Sequence, residues 1–257
     1  MLIILALYNQ AFQIVAIALF GIVIILMARY LLMSLKEKSY HPEQWAHALK
    51  QKKISETLIQ LEKTYEDKMR FYNFWFQIER IKKENVRGAF AELGVYKGET
   101  AKIIHEMDSS RKFHLFDTFS GFMKEDLKVE TGEAATYSTK NFADTNEKKV
   151  LKHINGNENI SVHKGQFPAT TKGLENEKYA FVNIDADLYN PIKDGCEYFY
   201  PRLSPGGVII IHDYNHKWEG AMKAVNEFAA GIPENIIEVP DMYGTVMIIK
   251  NKASGRK

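Results

Sequence analysis

The fold of this 257-residue chain is decided by the stretch GAFAELGVYKGET, Gly88 to Thr100. Its first half is a short apolar run that predicts a buried strand. Its second half carries Gly94 and Gly98, which permit a close turn before a helical pattern from Glu99 to Met107. A strand, a loop and a helix N-terminus in this order present free backbone N–H groups beside the carboxyl end of the strand. Open α/β sheets bind nucleotide-like ligands at that edge.

The glycine pattern separates this loop from a dinucleotide-binding loop. The dinucleotide fingerprint is G-x-G-x-x-G, whereas the chain has Glu92-x-Gly94-x-x-x-Gly98, with a carboxylate where the first glycine would stand. An ordinary glycine turn between a strand and a helix can carry the same pattern. The loop alone therefore does not decide between a binding site and a plain turn.

Length and composition favour one large folded domain with additions. With 46% hydrophobic and 26% charged residues, the chain has the composition of a globular protein. The formal net charge is only +2, and no long block of lysine or arginine occurs, which argues against a nucleic-acid partner. A single cysteine, Cys196, excludes an intrachain disulfide and fits a reducing compartment.

The apolar composition of residues 1–35 predicts a membrane anchor. The segment AFQIVAIALFGIVIILMA, residues 11–28, carries no charge and one strongly polar residue, Gln13, over a length that can span a bilayer. The basic start and cleavage site of a secretory signal are not evident, and a buried or interfacial helix is the alternative. Basic residues follow the span and none precedes it, so the positive-inside rule predicts a single-pass protein with its large carboxyl-terminal domain in the cytoplasm.

Residues 36–84 predict a helical linker between the anchor and an α/β domain at 85–257. Apolar residues recur in the linker mostly at spacings of three or four, from Tyr40 onward. Residues 34–87 hold 12 basic against 8 acidic side chains. This excess suits contact with an anionic membrane surface, and a solvated helix face with mixed charges is the alternative.

A second strand is predicted within RKFHLFDTFSGF, Arg111 to Phe122, and it ends at Asp117. An acid at this point is suitably placed to accept hydrogen bonds from the ribose of a bound nucleoside. A turn or helix-capping aspartate is the alternative. The polar segment 123–144 that follows has few apolar anchors and is a candidate lid.

Two later strands end in clustered polar side chains. Asp185 and Asp187 follow one strand, and His212 and Asp213 follow another. The carboxyl ends of parallel strands meet at one edge of a sheet, which predicts that these groups lie together. Clustered carboxylates suit a hard cation such as Mg²⁺, whereas capping of the next helices by Asp187 and Asp213 is the alternative. The later strand patterns are NISVHKG (159–165), KYAFVNIDADLY (178–189), PGGVIIIHDYN (205–215), IIEVP (236–240) and YGTVMIIK (243–250).

Five motifs in this order resemble the macrocin-type sugar O-methyltransferases, the TylF/MycF family of S-adenosylmethionine-dependent enzymes. They are ELGVYKGET, LFDTFSGF, IDADLY, YPRLSPGGVIIIHDYN and GAMKAVNEF. The resemblance covers residues 69–247 and excludes the apolar N-terminal segment. It implies an α/β class I methyltransferase fold, a Rossmann-like seven-stranded sheet with an antiparallel last strand. It also implies Mg²⁺-dependent methyl transfer from S-adenosyl-L-methionine to a sugar hydroxyl.

The resemblance assigns cofactor roles to named residues. Glu92, Gly94 and Gly98 would line the adenosylmethionine loop, and Asp117 would hold the ribose. Glu92 would also supply the negative charge that a sulfonium requires nearby. The full predicted cofactor-binding set is Glu92, Gly94, Tyr96, Gly98, Asp117, Ser120 and Gly165.

The resemblance also assigns the catalytic and metal roles. Asp185 matches the family's metal ligand and proposed base, and Asp213 matches the second acid of its Asp-Asp-Tyr motif. His212 stands where the first of those acids is expected, and a nitrogen there suits Mg²⁺ less well and favours Mn²⁺. The predicted catalytic residues are therefore Asp185 and His212, and the predicted metal ligands are Asp185, His212 and Asp213.

Two other functional classes fit part of the pattern. An NAD-dependent sugar oxidoreductase would use a similar sheet, but it would require G-x-G-x-x-G, and Tyr189 and Lys193 match its Tyr-x-x-x-Lys pair only in spacing. A catalytically inactive binding protein on a methyltransferase fold is the other alternative, and His212 is the feature in its favour. The predicted partners are a small-molecule or lipid-linked saccharide and the membrane, and a homo-oligomer is compatible with the sequence.

Overall fold

The computed structural model describes residues 2–38 and 41–252 of the chain. These residues fall into two compact units, 1–54 and 55–257. The smaller unit holds α1 (Leu2–Lys38) and α2 (Glu43–Lys50). Within α1, Asn9–Ser34 has a mean hydropathy of 2.7 and buries none of its most apolar window. The predicted apolar helix is therefore present, and it is long enough to cross a bilayer; a signal sequence near the N-terminus passes the same test of length and composition.

The larger unit is a seven-stranded sheet with helices packed around it, as predicted. The strand order is β3-β2-β1-β4-β5-β7-β6, and β7 runs antiparallel to both of its neighbours. The order reverses between β1 and β4, so the loops after these two strands diverge and leave a crevice at the carboxyl edge. The strands are β1 (Ala89–Leu93), β2 (Phe113–Asp117), β3 (Ile160–Lys164), β4 (Tyr179–Ile184), β5 (Leu203–Ile211), β6 (Ile237–Val239) and β7 (Thr245–Ile249). The helices are α3 (Glu56–Thr64), α4 (Lys68–Lys83), α5 (Glu99–Met107), α6 (Lys124–Leu127), α7 (Glu147–Ile154), α8 (Tyr189–Phe199) and α9 (Glu219–Ala229).

The central strands are buried because each is covered on both faces. All five residues of β1 and all six of β4 are buried, which is why their sequences are continuous apolar runs rather than alternating ones. Among the polar exceptions, Glu92 and Asn183 sit side by side in the β1–β4 register.

The helical segment before the sheet is interrupted rather than continuous. It forms α2, α3 and α4, with Tyr40 lying outside the described residues. The larger compact unit begins at Ser55, so residues 55–84, which were predicted to belong to the linker, pack with the sheet. Phe74 of α4 is fully buried and meets Phe181 of β4 edge to face at 6.0 Å. The buried aromatic side chains of α4 are thus part of the core, and they are Phe71, Tyr72, Phe74 and Trp75.

Glycine is required at the turn after β1. Gly94 has φ +85°, and a Cβ there would overlap the carbonyl oxygen of Asp185. The turn therefore brings the backbone of the β1 loop against the end of β4, which only glycine permits. Gly98, with φ +83°, then precedes the first turn of α5, whose bounds are those predicted.

Candidate active site

A cavity of about 600 Å³ opens at the carboxyl edge of the sheet. Its walls come from the loops after four adjacent strands, represented by Tyr96 after β1, Asp117 at the end of β2, Asp185 after β4 and His212 after β5. The volume is typical of small-molecule sites. The four strand ends therefore meet at one cavity, as predicted.

Asp117 is the centre of the half of the cavity nearest β2. Its Oδ2 accepts hydrogen bonds from the backbone N–H groups of Val95 (2.7 Å) and Tyr96 (2.8 Å), and its Oδ1 accepts one from Phe119 (2.6 Å). A carboxylate has about four acceptor positions, so one remains for a ligand hydroxyl. In this structure Asp117 fixes the loop after β1, a role that the sequence did not indicate.

Glu92 lies beneath the cavity and does not line it. It is completely buried, and its Oε1 accepts hydrogen bonds from the Thr100 hydroxyl and from the Asn183 amide, the latter at 2.9 Å. Burial raises the pKa of Glu92 to about 8. A carboxyl group in this position braces β1 against α5 and β4. Its predicted role beside the sulfonium of the cofactor stays a prediction.

The other predicted cofactor residues divide into two groups. Gly94 and Tyr96 line the cavity, whereas Gly98, Ser120 and Gly165 do not. Ser120 is exposed, and the backbone N–H of Gly165 donates to the Asp117 carbonyl at 3.0 Å. Neighbours of these residues reach the cavity instead, and they are Thr118, Gly121, Gln166 and Phe167.

Three charged side chains meet in the half of the cavity nearest β5. Asp185 Oδ1 lies 3.1 Å from His212 Nδ1, which in turn lies 2.9 Å from Asp213 Oδ1. These are ion-pair distances without the alignment of a hydrogen bond. Asp187 lines the same region, and both Asp187 and Asp213 adopt left-handed backbone conformations, with φ +59° and +62°. Unfavourable backbone of this kind at two strand ends is typical of functional sites.

The ion pairing sets the charges of this cluster. Burial would raise the pKa of Asp185, but the Arg70 guanidinium and then His212 outweigh it and hold the pKa below its usual range. Burial would lower the pKa of His212, but Asp185 outweighs it and raises the pKa to about 10. Burial and two neighbouring carboxylates raise the pKa of Asp187. The cluster therefore holds an ionised Asp185 beside an imidazolium.

The cluster fits a divalent cation. One ligand atom from each of Asp185, His212 and Asp213 can lie within 4.8 Å of the others. Within the described ranges, Oδ2 of Asp213 and Nε2 of His212 are buried and have no hydrogen-bond partner, and such atoms require a ligand, an ion or water. Two carboxylates and one imidazole suit Mn²⁺ or Mg²⁺, provided that His212 loses its proton on binding.

Arg70 lines the cavity and contacts a predicted site residue, although the sequence did not indicate it. It comes from the first turn of α4, and its Nη2 lies 2.8 Å from Oδ2 of Asp185, which is 115 positions later in the chain. Arg70 is buried and lines the cavity together with Tyr65, Trp218 and Tyr243. The one available signal was an arginine on the otherwise apolar face of a predicted amphipathic helix.

Comparison with known proteins identifies the class. The family model for macrocin-O-methyltransferase (TylF) matches residues 25–247. The chain belongs to the TylF family. The predicted resemblance and enzyme class are confirmed, but the match begins at residue 25 rather than 69 and so includes the end of the apolar segment, which the prediction excluded. The protein is an O-methyltransferase, and the oxidoreductase alternative is wrong.

The relatives of this TylF-family protein include two curated enzymes. It is 25% identical to 8-demethyl-8-(2,3-dimethoxy-alpha-L-rhamnosyl)-tetracenomycin-C 4'-O-methyltransferase of Streptomyces olivaceus, over 66% of this chain and 69% of that one. It is 26% identical to mycinamicin III 3''-O-methyltransferase of Micromonospora griseorubida, over 66% of this chain and 72% of that one.

Solved structures agree on the fold of the TylF-family chain. The O-methyltransferase NovP matches with a TM-score of 0.62 and 22% identity, over 72% of this chain and 81% of that one. The calicheamicin methyltransferase CalS11 matches with a TM-score of 0.55 and 20% identity, over 69% and 79%. The class I methyltransferase fold is confirmed.

Proposed function

We propose that this O-methyltransferase moves the methyl group of S-adenosyl-L-methionine to a saccharide hydroxyl, assisted by a divalent cation and working at a membrane surface. The observation that carries the proposal is the arrangement of one cavity, with the Asp117 loop at one end and the Asp185–His212–Asp213 cluster at the other. The test is transfer of a labelled methyl group from S-adenosylmethionine to a saccharide by the full-length protein.

The Asp117 end of the cavity suits the nucleoside part of the cofactor. Asp117 retains an acceptor position for a ribose hydroxyl, since backbone N–H groups use three of its four. Phe167 offers an apolar ring and Gln166 an amide in the same wall. A flat base can pack on the first and form hydrogen bonds with the second.

The Asp185 end of the cavity suits a sugar. Aromatic side chains of Tyr65, Trp218 and Tyr243 stand around the charged cluster. Aromatic rings supply apolar contact area while carboxylates accept hydroxyl hydrogen bonds. The name of one curated relative, a rhamnosyl-tetracenomycin 4'-O-methyltransferase, supports a sugar acceptor here too.

Methyl transfer would proceed by in-line displacement. The acceptor oxygen attacks the methyl carbon, the carbon–sulfur bond breaks, and its electron pair stays on sulfur. A divalent cation held by Asp185, His212 and Asp213 would lower the pKa of the acceptor hydroxyl. Asp185 takes the hydroxyl proton. Its lowered pKa makes it a weak base, but the proton becomes strongly acidic as the new carbon–oxygen bond forms, so a weak base suffices.

His212→Asp is expected to tighten Mg²⁺ binding and to lower the metal concentration needed for half-maximal turnover. The substitution replaces an imidazole by a hard anionic oxygen, which Mg²⁺ prefers. Calorimetric titration with Mg²⁺ and Mn²⁺, followed by turnover at graded metal concentrations, measures both effects. His216→Asp is the matched control, because His216 is exposed and does not line the cavity. Full activity in excess chelator, with His212→Asp inactive at every metal concentration, would instead make His212 the base of a metal-free enzyme.

We also propose that α1 anchors the protein in a membrane with the methyltransferase domain in the cytoplasm. The support is the apolar span Asn9–Ser34 and the basic residues that follow it. The proposed boundaries remain 1–35, 36–84 and 85–257, with the qualification that the compact unit begins at Ser55. A homo-oligomer and a lipid-linked acceptor stay compatible with this arrangement.

The full chain is expected to fractionate with membranes, and a chain starting at Ser39, which is outside the described residues, is expected to be soluble and to bind S-adenosylmethionine. Lys172→Cys tests the topology, because Lys172 is exposed and the native Cys196 is buried with its pKa raised to about 12. An impermeant thiol reagent should label Lys172→Cys after lysis only. Labelling in intact cells would place the domain outside.

A further inference from the structure

Arg70 pairs with the proposed base although it belongs to a helix that precedes the sheet. The residue is 6% exposed, and its Nη2 donates to Oδ2 of Asp185 at 2.8 Å. The guanidinium carbon lies 5.5 Å from the ring centre of Phe74, one turn further along α4. A buried charge in this setting is stable only with a partner, and Asp185 is that partner.

The first turn of α4 is held rigidly. Asp67 caps the helix, its Oδ1 accepting from the Arg70 backbone N–H at 3.0 Å, and its Oδ2 accepts from the Met242 N–H at 3.0 Å. Phe74 packs on Phe181 of β4, the strand that Asp185 follows. The position of the Arg70 backbone is thus fixed relative to the end of β4, which allows the side chain to act as a rigid support.

The pairing leaves the two carboxylate oxygens of Asp185 in different surroundings. Oδ2 is bonded to Arg70, and Oδ1 faces His212 Nδ1 at 3.1 Å in the metal-ligand cluster. Rotation of the carboxylate would break the bond to Arg70. A divalent cation at Asp185 would also lie close to a fixed positive charge, which repels it.

We propose that Arg70 is a positioning residue that holds the Asp185 carboxylate with Oδ1 turned towards the acceptor and competes electrostatically with a divalent cation for Asp185. The proposal rests on the proposed function for the role of Asp185. On this proposal, Arg70 lowers the affinity of the site for the metal. In return, the Asp185 carboxylate keeps the same orientation whether or not a metal is bound. A support that merely stabilised α4 would leave metal affinity unchanged.

Arg70→Met is expected to bind Mn²⁺ severalfold more tightly than the wild type while its methyl transfer falls about a hundredfold, since a small misplacement of a reacting group costs that much. Arg70→Lys, which keeps the charge, should bind Mn²⁺ like the wild type. The affinity for Mn²⁺ is measured on the full-length protein in detergent with Mn²⁺ alone, from the electron paramagnetic resonance of the free ion.

Methyl transfer is measured from labelled S-adenosylmethionine to membranes of a strain that lacks the gene. Arg80→Met is the matched control, because Arg80 lies on the same helix and pairs with Glu84 outside the cavity.

A double-mutant cycle tests the pairing without metal or acceptor. Arg70→Met should lower the unfolding midpoint by leaving Oδ2 of the buried Asp185 without its guanidinium partner, and adding Asp185→Asn should restore part of the loss. Additive effects in this cycle, or measurable Mn²⁺ binding that is equally tight in Arg70→Met and Arg80→Met, would overturn the proposal. If the wild type and Arg70→Met both fail to bind Mn²⁺ while the cycle still shows coupling, the metal site of the proposed function fails and the positioning role stands. If Arg70→Met does not fold, Arg70→Gln replaces it in every arm.

Discussion

Asp185→Asn is expected to lower turnover about a thousandfold and to leave the affinity for S-adenosylmethionine unchanged. The amide keeps the shape of the side chain, but it cannot take the acceptor proton and is a poorer metal ligand. It also loses the charge that pairs with Arg70 at 2.8 Å. Cofactor affinity should survive because the proposed nucleoside contacts come from the loop held by Asp117, at the other end of the cavity.

Two measurements separate these effects. Calorimetric titration with S-adenosylmethionine measures cofactor affinity, and labelled methyl transfer measures turnover. Asp194→Asn is the matched control, since Asp194 belongs to α8 and does not line the cavity. Turnover of Asp185→Asn close to that of Asp194→Asn would remove Asp185 from both of its proposed roles.

Asp117→Ala is expected to weaken S-adenosylmethionine binding by roughly tenfold to more than a hundredfold. A hydrogen bond from a ribose hydroxyl to a charged acceptor contributes about 1.5 to 3 kcal/mol, which converts to that range of affinity. The structure adds a second reason for a loss, because the backbone N–H groups of Val95, Tyr96 and Phe119 lose their acceptor. The sheet should remain folded, since these contacts lie in loops at its edge.

Calorimetry and thermal unfolding measure the two parts of this prediction. Asp108→Ala is a suitable control, because Asp108 forms an ion pair with Arg111 at 3.3 Å and does not line the cavity. Unchanged cofactor affinity in a folded Asp117→Ala protein would exclude Asp117 from the binding site.

The fold was predictable because its decisive features are local in sequence. The buried strands β1 and β4 are short apolar runs, and α5 begins directly after Gly98. The turn at Gly94 is recognisable because a left-handed backbone in close contact with another strand requires glycine. Parallel strands also carry their chemistry at one edge, so the acids that end them had to meet.

Side-chain direction was not predictable from the same pattern. Glu92 is the fourth residue of β1, and the motif alone does not say whether it faces the cavity or the core. In the structure it faces Thr100 and Asn183, and burial raises its pKa to about 8. Gly98, Ser120 and Gly165 belong to predicted binding loops but do not line the cavity. The reason is similar, because a motif locates a loop but does not say which of its residues face a ligand.

Side-chain contacts between residues that are far apart in the sequence were also not predictable. Arg70 and Asp185 are 115 residues apart, and no local pattern joins a residue in the first turn of α4 to the end of β4. His212 was placed correctly beside Asp213, but its position between two carboxylates, which stabilises the imidazolium, is a tertiary property. The residues of the charged cluster could therefore be predicted from the sequence, but their protonation states could not.

The most direct test of methyl transfer to a saccharide is a comparison of glycans by mass spectrometry in three strains. One strain has the gene, one lacks it, and one lacks it but carries Asp185→Asn. We predict a methyl ether on a saccharide hydroxyl that is present only in the first strain. Identical methylation in all three strains, or a methyl group lost on deletion that Asp185→Asn restores fully, would contradict the assignment of this cavity and of Asp185 to sugar O-methylation.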